Sequence, residues 1–146
     1  MKDNNSIKTC DLFISHAWRF HDAWTRMVDL LDDREDLTWR NFSVPWYDPA
    51  MDPNTEFGAQ YVRKNLEAQI IPADAMILLE DVYCVKSARK WIDMEIMFAK
   101  RHDIPIIAVS CEQPSGGIED GIADKIVPWK GKEIIGSFVQ LLDFKP

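Results

Sequence analysis

The sequence predicts an α/β domain in which helices cover both faces of a five-stranded parallel sheet. Three observations carry this. Short apolar runs alternate with stretches of helical spacing from residue 9 onward, the pattern that builds parallel strands joined by crossover helices. Two of those runs, Ala75–Leu79 and residues 104–109, are apolar without alternation, as strands buried on both faces are. Finally, 146 residues with 47% hydrophobic and 28% charged side chains match one globular domain, long enough to build its own core.

Residues 1–8 read as an N-terminal arm and 9–146 as the single domain. Leu12, Phe13 and Ile14 make the first strand, which ends at Ser15 and His16. Ala17, Phe20, Trp24, Met27, Val28 and Leu31 then recur at helical spacing, with Arg19, Asp22, Arg26 and Asp29 opposite. Residues 39–44 read as a second strand, and their polar interior places it at an edge. Pro45, Pro49 and Pro53 break the chain into a loop carrying Trp46, Tyr47, Asp48 and Asp52. Asn54 is the expected N-cap of a helix over 57–69. The run Ala75–Leu79 is the third strand, followed by a helix over 87–101 and a fourth strand over 104–109. Gly116, Gly117 and the acidic stretch after them form a loop before a short fifth strand at 125–127 and a last helix over 132–142. Five strands in a chain of this length suit the flavodoxin-like order 2-1-3-4-5 with right-handed crossovers. In that order a ligand sits at the carboxyl ends of the strands, here the loops after Ile14, Val44, Leu79 and Val109.

Charge narrows the function classes. Seventeen Lys+Arg against 24 Asp+Glu leave a net charge of −7. Such a surface repels phosphate backbones and anionic headgroups, so neither a nucleic-acid nor a membrane partner is expected. No apolar run reaches the roughly 18 residues of a membrane span. Cys10, Cys84 and Cys111 are odd in number, widely spaced and free of any Cys-x-x-Cys, which reads as reduced cytosolic thiols. The polar start lacks a signal peptide's apolar stretch, so a cytoplasmic location is expected. No metal-ligand cluster, glycine-rich phosphate loop or nucleophile–base triad assembles, and no metal is expected.

One residue breaks the pattern. Around Glu95, Ala88 lies seven back, Trp91 four back, Ile92 three back, Phe98 three on and Ala99 four on, all on one helix face. Arg89, Lys90, Asp93, Lys100 and Arg101 fall on the other. Glu95 is thus an acid at the centre of an apolar stripe, where a charge is unfavourable by several kcal/mol unless paired or solvated through a cleft. Its position fits a functional acid or an internal ion pair about equally, and the pattern offers no obvious buried cation nearby. Elsewhere, Ser15 and His16 leave the first strand at the ligand edge, where an ordinary turn is an equal alternative. Asp48 and Asp52 read as solvated turn residues. Glu80 and Asp81 fit a helix cap as well as a ligand contact. His21 and His102 read as surface residues.

Asp11-Leu12-Phe13-Ile14-Ser15-His16 resembles the opening strand of Toll/interleukin-1 receptor (TIR) domains. Ser87, Trp91-x-x-x-Glu95 and Ile104-Pro105-Ile106-Ile107 resemble the catalytic helix and following strand of TIR domains that consume NAD. Ser43-Val44-Pro45 and the loop after it resemble the TIR-like proteins of bacterial Thoeris anti-phage systems, the ThsB type, and the similarity runs over nearly the whole chain. The resemblance implies a TIR-like fold in which Glu95 is the catalytic glutamate. It implies substrate-binding positions at Ser15, His16, Trp18, Asp48, Ser87 and Trp91. It further implies NAD as substrate, cleaved between nicotinamide and ribose, and an ADP-ribose-derived, cyclic signalling nucleotide that reaches a downstream effector protein. Association between copies through the aromatic loop 46–53 is a further expectation.

Three other readings compete. A non-catalytic TIR module would signal by homotypic assembly, with Trp46, Tyr47, Phe57 and Tyr61 as its face, because Phe57 and Tyr61 lie off the stripe of Ala59, Val62, Leu66 and Ile70. A phospho-receiver needs an acidic pair after the first strand, where this chain has Ser15 and His16, and Asp81 alone cannot hold the Mg²⁺. A flavin site would need a hydroxyl- and glycine-rich loop in the same place.

Overall fold

The computed structural model describes residues 9–16, 22–43, 55–111 and 117–143. The strands are β1 (Cys10–Ile14), β2 (Trp39–Asn41), β3 (Ala75–Leu79), β4 (Ile106–Val109) and β5 (Lys125–Val127). The helices are α1 (Asp22–Asp32), α2 (Glu56–Ile70), the single turn α3 (Glu80–Tyr83), α4 (Arg89–Arg101) and α5 (Gly131–Leu142), and a 3-10 turn over Lys86–Ala88 leads into α4. All strand pairs are parallel and the order is β2-β1-β3-β4-β5. This is the doubly wound α/β arrangement that the alternating pattern predicts.

Every residue of β3 and β4 is buried, as their unbroken apolar runs require. β2 is the polar edge strand expected. It spans Trp39–Asn41 rather than reaching Val44, because Asn41 turns its side chain back on the chain: Oδ1 accepts the Ser43 N–H at 2.9 Å. Val44 and residues 45–54 lie outside the described residues. β4 begins at Ile106 rather than 104. Pro105 has no N–H for the ladder, and Ile104 N–H instead closes the end of α4 on Ala99 O at 2.8 Å.

The chain crosses the sheet one way from β1 to β2 and the other way from β2 to β3 and β4. With right-handed crossovers, α1 therefore covers one face and α2 and α4 the other. α2 and α4 pack side by side. Glu67 of α2 meets Arg101 at 3.4 Å and His102 Nε2 at 3.0 Å, while Arg63 and Arg101 lie 6.0 and 5.7 Å from the Phe98 ring. On the opposite face, the Arg34 side chain after α1 lies against Gly131 at the start of α5.

A helix cap explains one boundary and a 3-10 turn another. Thr55, not Asn54, is the N-cap of α2: its hydroxyl accepts the Gly58 N–H at 3.0 Å, and Glu56 follows at the positive end of the helix dipole. α4 starts at Arg89 rather than Ser87, since Lys86–Ala88 wind as a 3-10 turn at its mouth. α1 buries Met27 and Leu31, and α5 buries Ile134, Ile135, Phe138 and Leu142. Among the described residues no helix is long and apolar enough to cross a membrane.

Candidate functional site

In the order 2-1-3-4-5 the chain reverses direction between β1 and β3, and the crevice beyond their carboxyl ends is where such sheets take ligands. Ser15 and His16 leave β1 there, and both are buried. Ser15 is held twice: its N–H donates to Ile77 O at 2.9 Å, and its Oγ accepts the Leu79 N–H at 3.0 Å. The hydroxyl thus carries β1–β3 pairing past the last register pair, Ile14↔Ile77, and still has its proton to donate. The His16 ring packs on Phe13 with centroids 5.6 Å apart.

α4 runs from this edge down the sheet face. Its buried residues are Ile92, Glu95, Ile96, Phe98 and Ala99, and Ala88 before it is buried too. The offsets around Glu95 are therefore the inward stripe, with Ile96 added, and Arg89, Lys90, Asp93, Lys100 and Arg101 are on its wet side or half-exposed. Glu95 is 0% exposed. Six residues beyond Arg89, at about 1.5 Å per residue, it lies about 9 Å along the helix axis. Trp91, one turn nearer the edge, is half-buried, with Lys90 Nζ 5.4 Å from its ring centroid. Ser87 is exposed in the 3-10 turn at the helix mouth. Trp18 and Asp48 lie outside the described residues, as does the loop 46–53.

The edge carries groups that periodicity did not single out. Glu80, 5% exposed, opens α3 directly after β3 and accepts the Cys111 N–H on Oε2 at 3.1 Å. Glu80 and Asp81 thus make the first turn of a helix, and Glu80 additionally reaches across to the chain leaving β4. Burial pushes the Cys111 thiol pKa up, and the neighbouring Asp81 and Glu80 carboxylates push it further. Arg89 lies over the Tyr83 ring at 3.9 Å, donates to Tyr83 Oη at 2.5 Å, and pairs with Asp93 and Glu119 at 3.2 and 3.4 Å. It ties the segment before β5 to the mouth of α4. At the end of β2, Trp24 Nε1 donates to the buried Ser43 Oγ at 3.0 Å, which bonds in turn to Asn41 Oδ1 at 2.6 Å. The sequence signal for Glu80 was available: a carboxylate placed immediately after five consecutive buried residues. For Trp24–Ser43 there was none, because the partners lie on separate elements.

Chemically the edge presents an indole near the mouth of α4 and a hydroxyl between β1 and β3, with a carboxylate buried about 9 Å down that helix. Among the described residues no three His, Cys, Asp or Glu side chains converge as a metal centre. Of the aromatics of the assembly reading, the two among the described residues lie on α2: Phe57 is 67% exposed and Tyr61 37%, while Val62, Leu66 and Ile70 are fully buried. The family model for the TIR-like domain of Thoeris protein ThsB matches residues 13–115, which run from the last two residues of β1 through β4 and include α1 to α4. Comparison with curated proteins gives no match.

Proposed function

Because this chain belongs to the TIR-like domain family of the Thoeris protein ThsB, an anti-phage defence module, we propose that it consumes NAD, with Glu95 as its catalytic carboxylate. The observation that carries the reading is Glu95 itself, an acid with no exposure at the centre of the inward stripe of α4. A single carboxylate suffices for this reaction. Glycosidases use two, one to protonate the leaving oxygen and one to act opposite. Nicotinamide leaves neutral, because its ring nitrogen already carries the positive charge in NAD, so no general acid is needed. Glu95 holds a ribose hydroxyl and stabilises the oxocarbenium-like charge as the bond to nicotinamide lengthens. A water-poor interior strengthens that interaction.

Trp91 offers an aromatic wall for a planar ring, and Ser15 and His16 border the crevice at the end of β1. Ser87 stands at the mouth of α4, and the family resemblance adds Trp18 and Asp48. The acceptor decides the product: water gives ADP-ribose, while a nucleophile within the ligand gives a cyclic signalling nucleotide for a downstream effector. Release of nicotinamide from NAD by the purified chain, in wild type and Glu95→Gln, tests the reading. The expected fall is about 10²-fold or more, the size seen when one electrostatic stabiliser is removed. A folded Glu95→Gln chain with undiminished release refutes it. The exposed Phe57 favours a second role in assembly, which Phe57→Asp with sedimentation of the full chain examines.

A further inference from the structure

The β3–β4 ladder ends at Leu79↔Val109, and Ser110 N–H turns away to Val127 O of β5 at 2.9 Å. Two residues past that last pair, a side chain resumes the connection: Glu80 Oε2 accepts the Cys111 N–H at 3.1 Å. The acid is buried, and the bond of a main-chain N–H to a carboxylate is stronger than one between neutral groups. On the other side of β3, Ser15 Oγ does the corresponding job with the Leu79 N–H. Adjacent residues Leu79 and Glu80 therefore fasten the chain leaving β1 and the chain leaving β4 to one point at the switch of strand order.

We propose that Glu80 is a positioning residue of the dinucleotide site: it fixes the main chain at Ser110 and Cys111 as the wall of the crevice opposite Ser15 and His16. The inference rests on the NAD-consuming reading of this edge. Glu80 does not act on the bond that breaks. Loosening its hold widens the crevice and weakens capture of NAD, while the charge that Glu95 supplies to the transition state is retained. A purely structural Glu80 would instead alter stability and leave the ratio of binding to turnover alone.

The test uses the full chain, with Glu80→Ala to remove the acceptor and Glu80→Gln to keep an oxygen for the Cys111 N–H. Nicotinamide release against NAD concentration gives KM and kcat, amide hydrogen exchange reports the Cys111 N–H, and thermal melts establish that each variant is folded. In Glu80→Ala, Cys111 exchange should quicken and KM should rise about tenfold with kcat within about threefold, the signature of lost binding rather than lost transition-state contact. Glu80→Gln should restore both. Quickened exchange with KM unmoved overturns the inference while leaving the proposed function standing, and so does a fall in kcat at constant KM. A wild-type chain that releases no nicotinamide defeats the proposed function, and this inference with it.

Discussion

Ser15→Ala separates the structural work of Ser15 from any part it plays with a ligand. The side chain is fully buried and its Oγ accepts the Leu79 N–H at 3.0 Å. Alanine fits the same space but leaves that N–H without its acceptor, and a stranded buried donor destabilises a fold by about 1–3 kcal/mol. For a domain of this size the loss corresponds to a fall in Tm of about 2–4 °C per kcal/mol, or about 4–8 °C at the middle of the range. Urea unfolding followed by tryptophan fluorescence and by far-ultraviolet circular dichroism measures it, and the denaturation midpoint should drop at constant m. Ser87→Ala is the matched control: that serine is exposed, and its change should stay within about 0.5 kcal/mol. If the two variants unfold at the same urea concentration, the Ser15–Leu79 bond does not hold the end of β1 and the reasoning fails. Nicotinamide release per folded molecule then reads whatever Ser15 contributes beyond stability.

Three more expectations follow from other parts of the fold. Thr55→Ala should destabilise the chain by about 1 kcal/mol through loss of the α2 cap, and Thr55→Ser should restore most of it; equal midpoints for all three would assign the helix start elsewhere. The hydrogen bond from His102, then the nearby Arg101 charge, lower the Glu67 pKa below its ordinary 4.5. Its stabilising effect is thus present above about pH 4.5 and lost as pH falls through the lower folded value, so the Tm gap between wild type and Glu67→Gln should close on acidification and shrink in salt. A gap that widens below pH 4 contradicts that sign. Burial, then Asp74 and Asp11, raise the Cys10 thiol to about 12, so alkylation at pH 8 should spare Cys10 in the native chain and reach it only on unfolding.

The buried centre of the sheet was legible because it rests on a pattern that a short window contains, and the strand order because five strands alternating with helices suit few topologies. Ala75 to Leu79 has no polar interruption, and β3 carries those same limits. The offsets around Glu95 survive in three dimensions because a helix fixes them locally. Boundaries were legible only where the deciding group lay within a few residues. The α2 cap is a choice between neighbours, Asn54 and Thr55, which the bond to Gly58 decides. Pro105 shortened β4 by a rule that could have been applied beforehand. What no window contains is the partner of Ser15 Oγ, 64 residues away in Leu79, or that of Glu80, 31 residues on in Cys111. Their position just after a strand places such residues at the ligand edge, and only strand register tells which backbone groups they meet.

The central position of β3 also has a consequence for the order in which the nascent chain can become a sheet. β1 emerges from the ribosome ahead of its neighbours with Leu12, Phe13 and Ile14, and its first partner, β2, offers only the three residues Trp39–Asn41. Its other neighbour, β3, comes more than thirty residues after that, an interval of a few seconds at about 5–20 residues per second. Until Ala75 to Leu79 have cleared the exit tunnel, one whole flank of β1 is an open apolar edge of the sort that chaperones hold and that aggregates recruit. Translation pauses before β3 has left the tunnel would lengthen that exposure, and pauses after β4 has left it, with β1, β3 and β4 all available, would not.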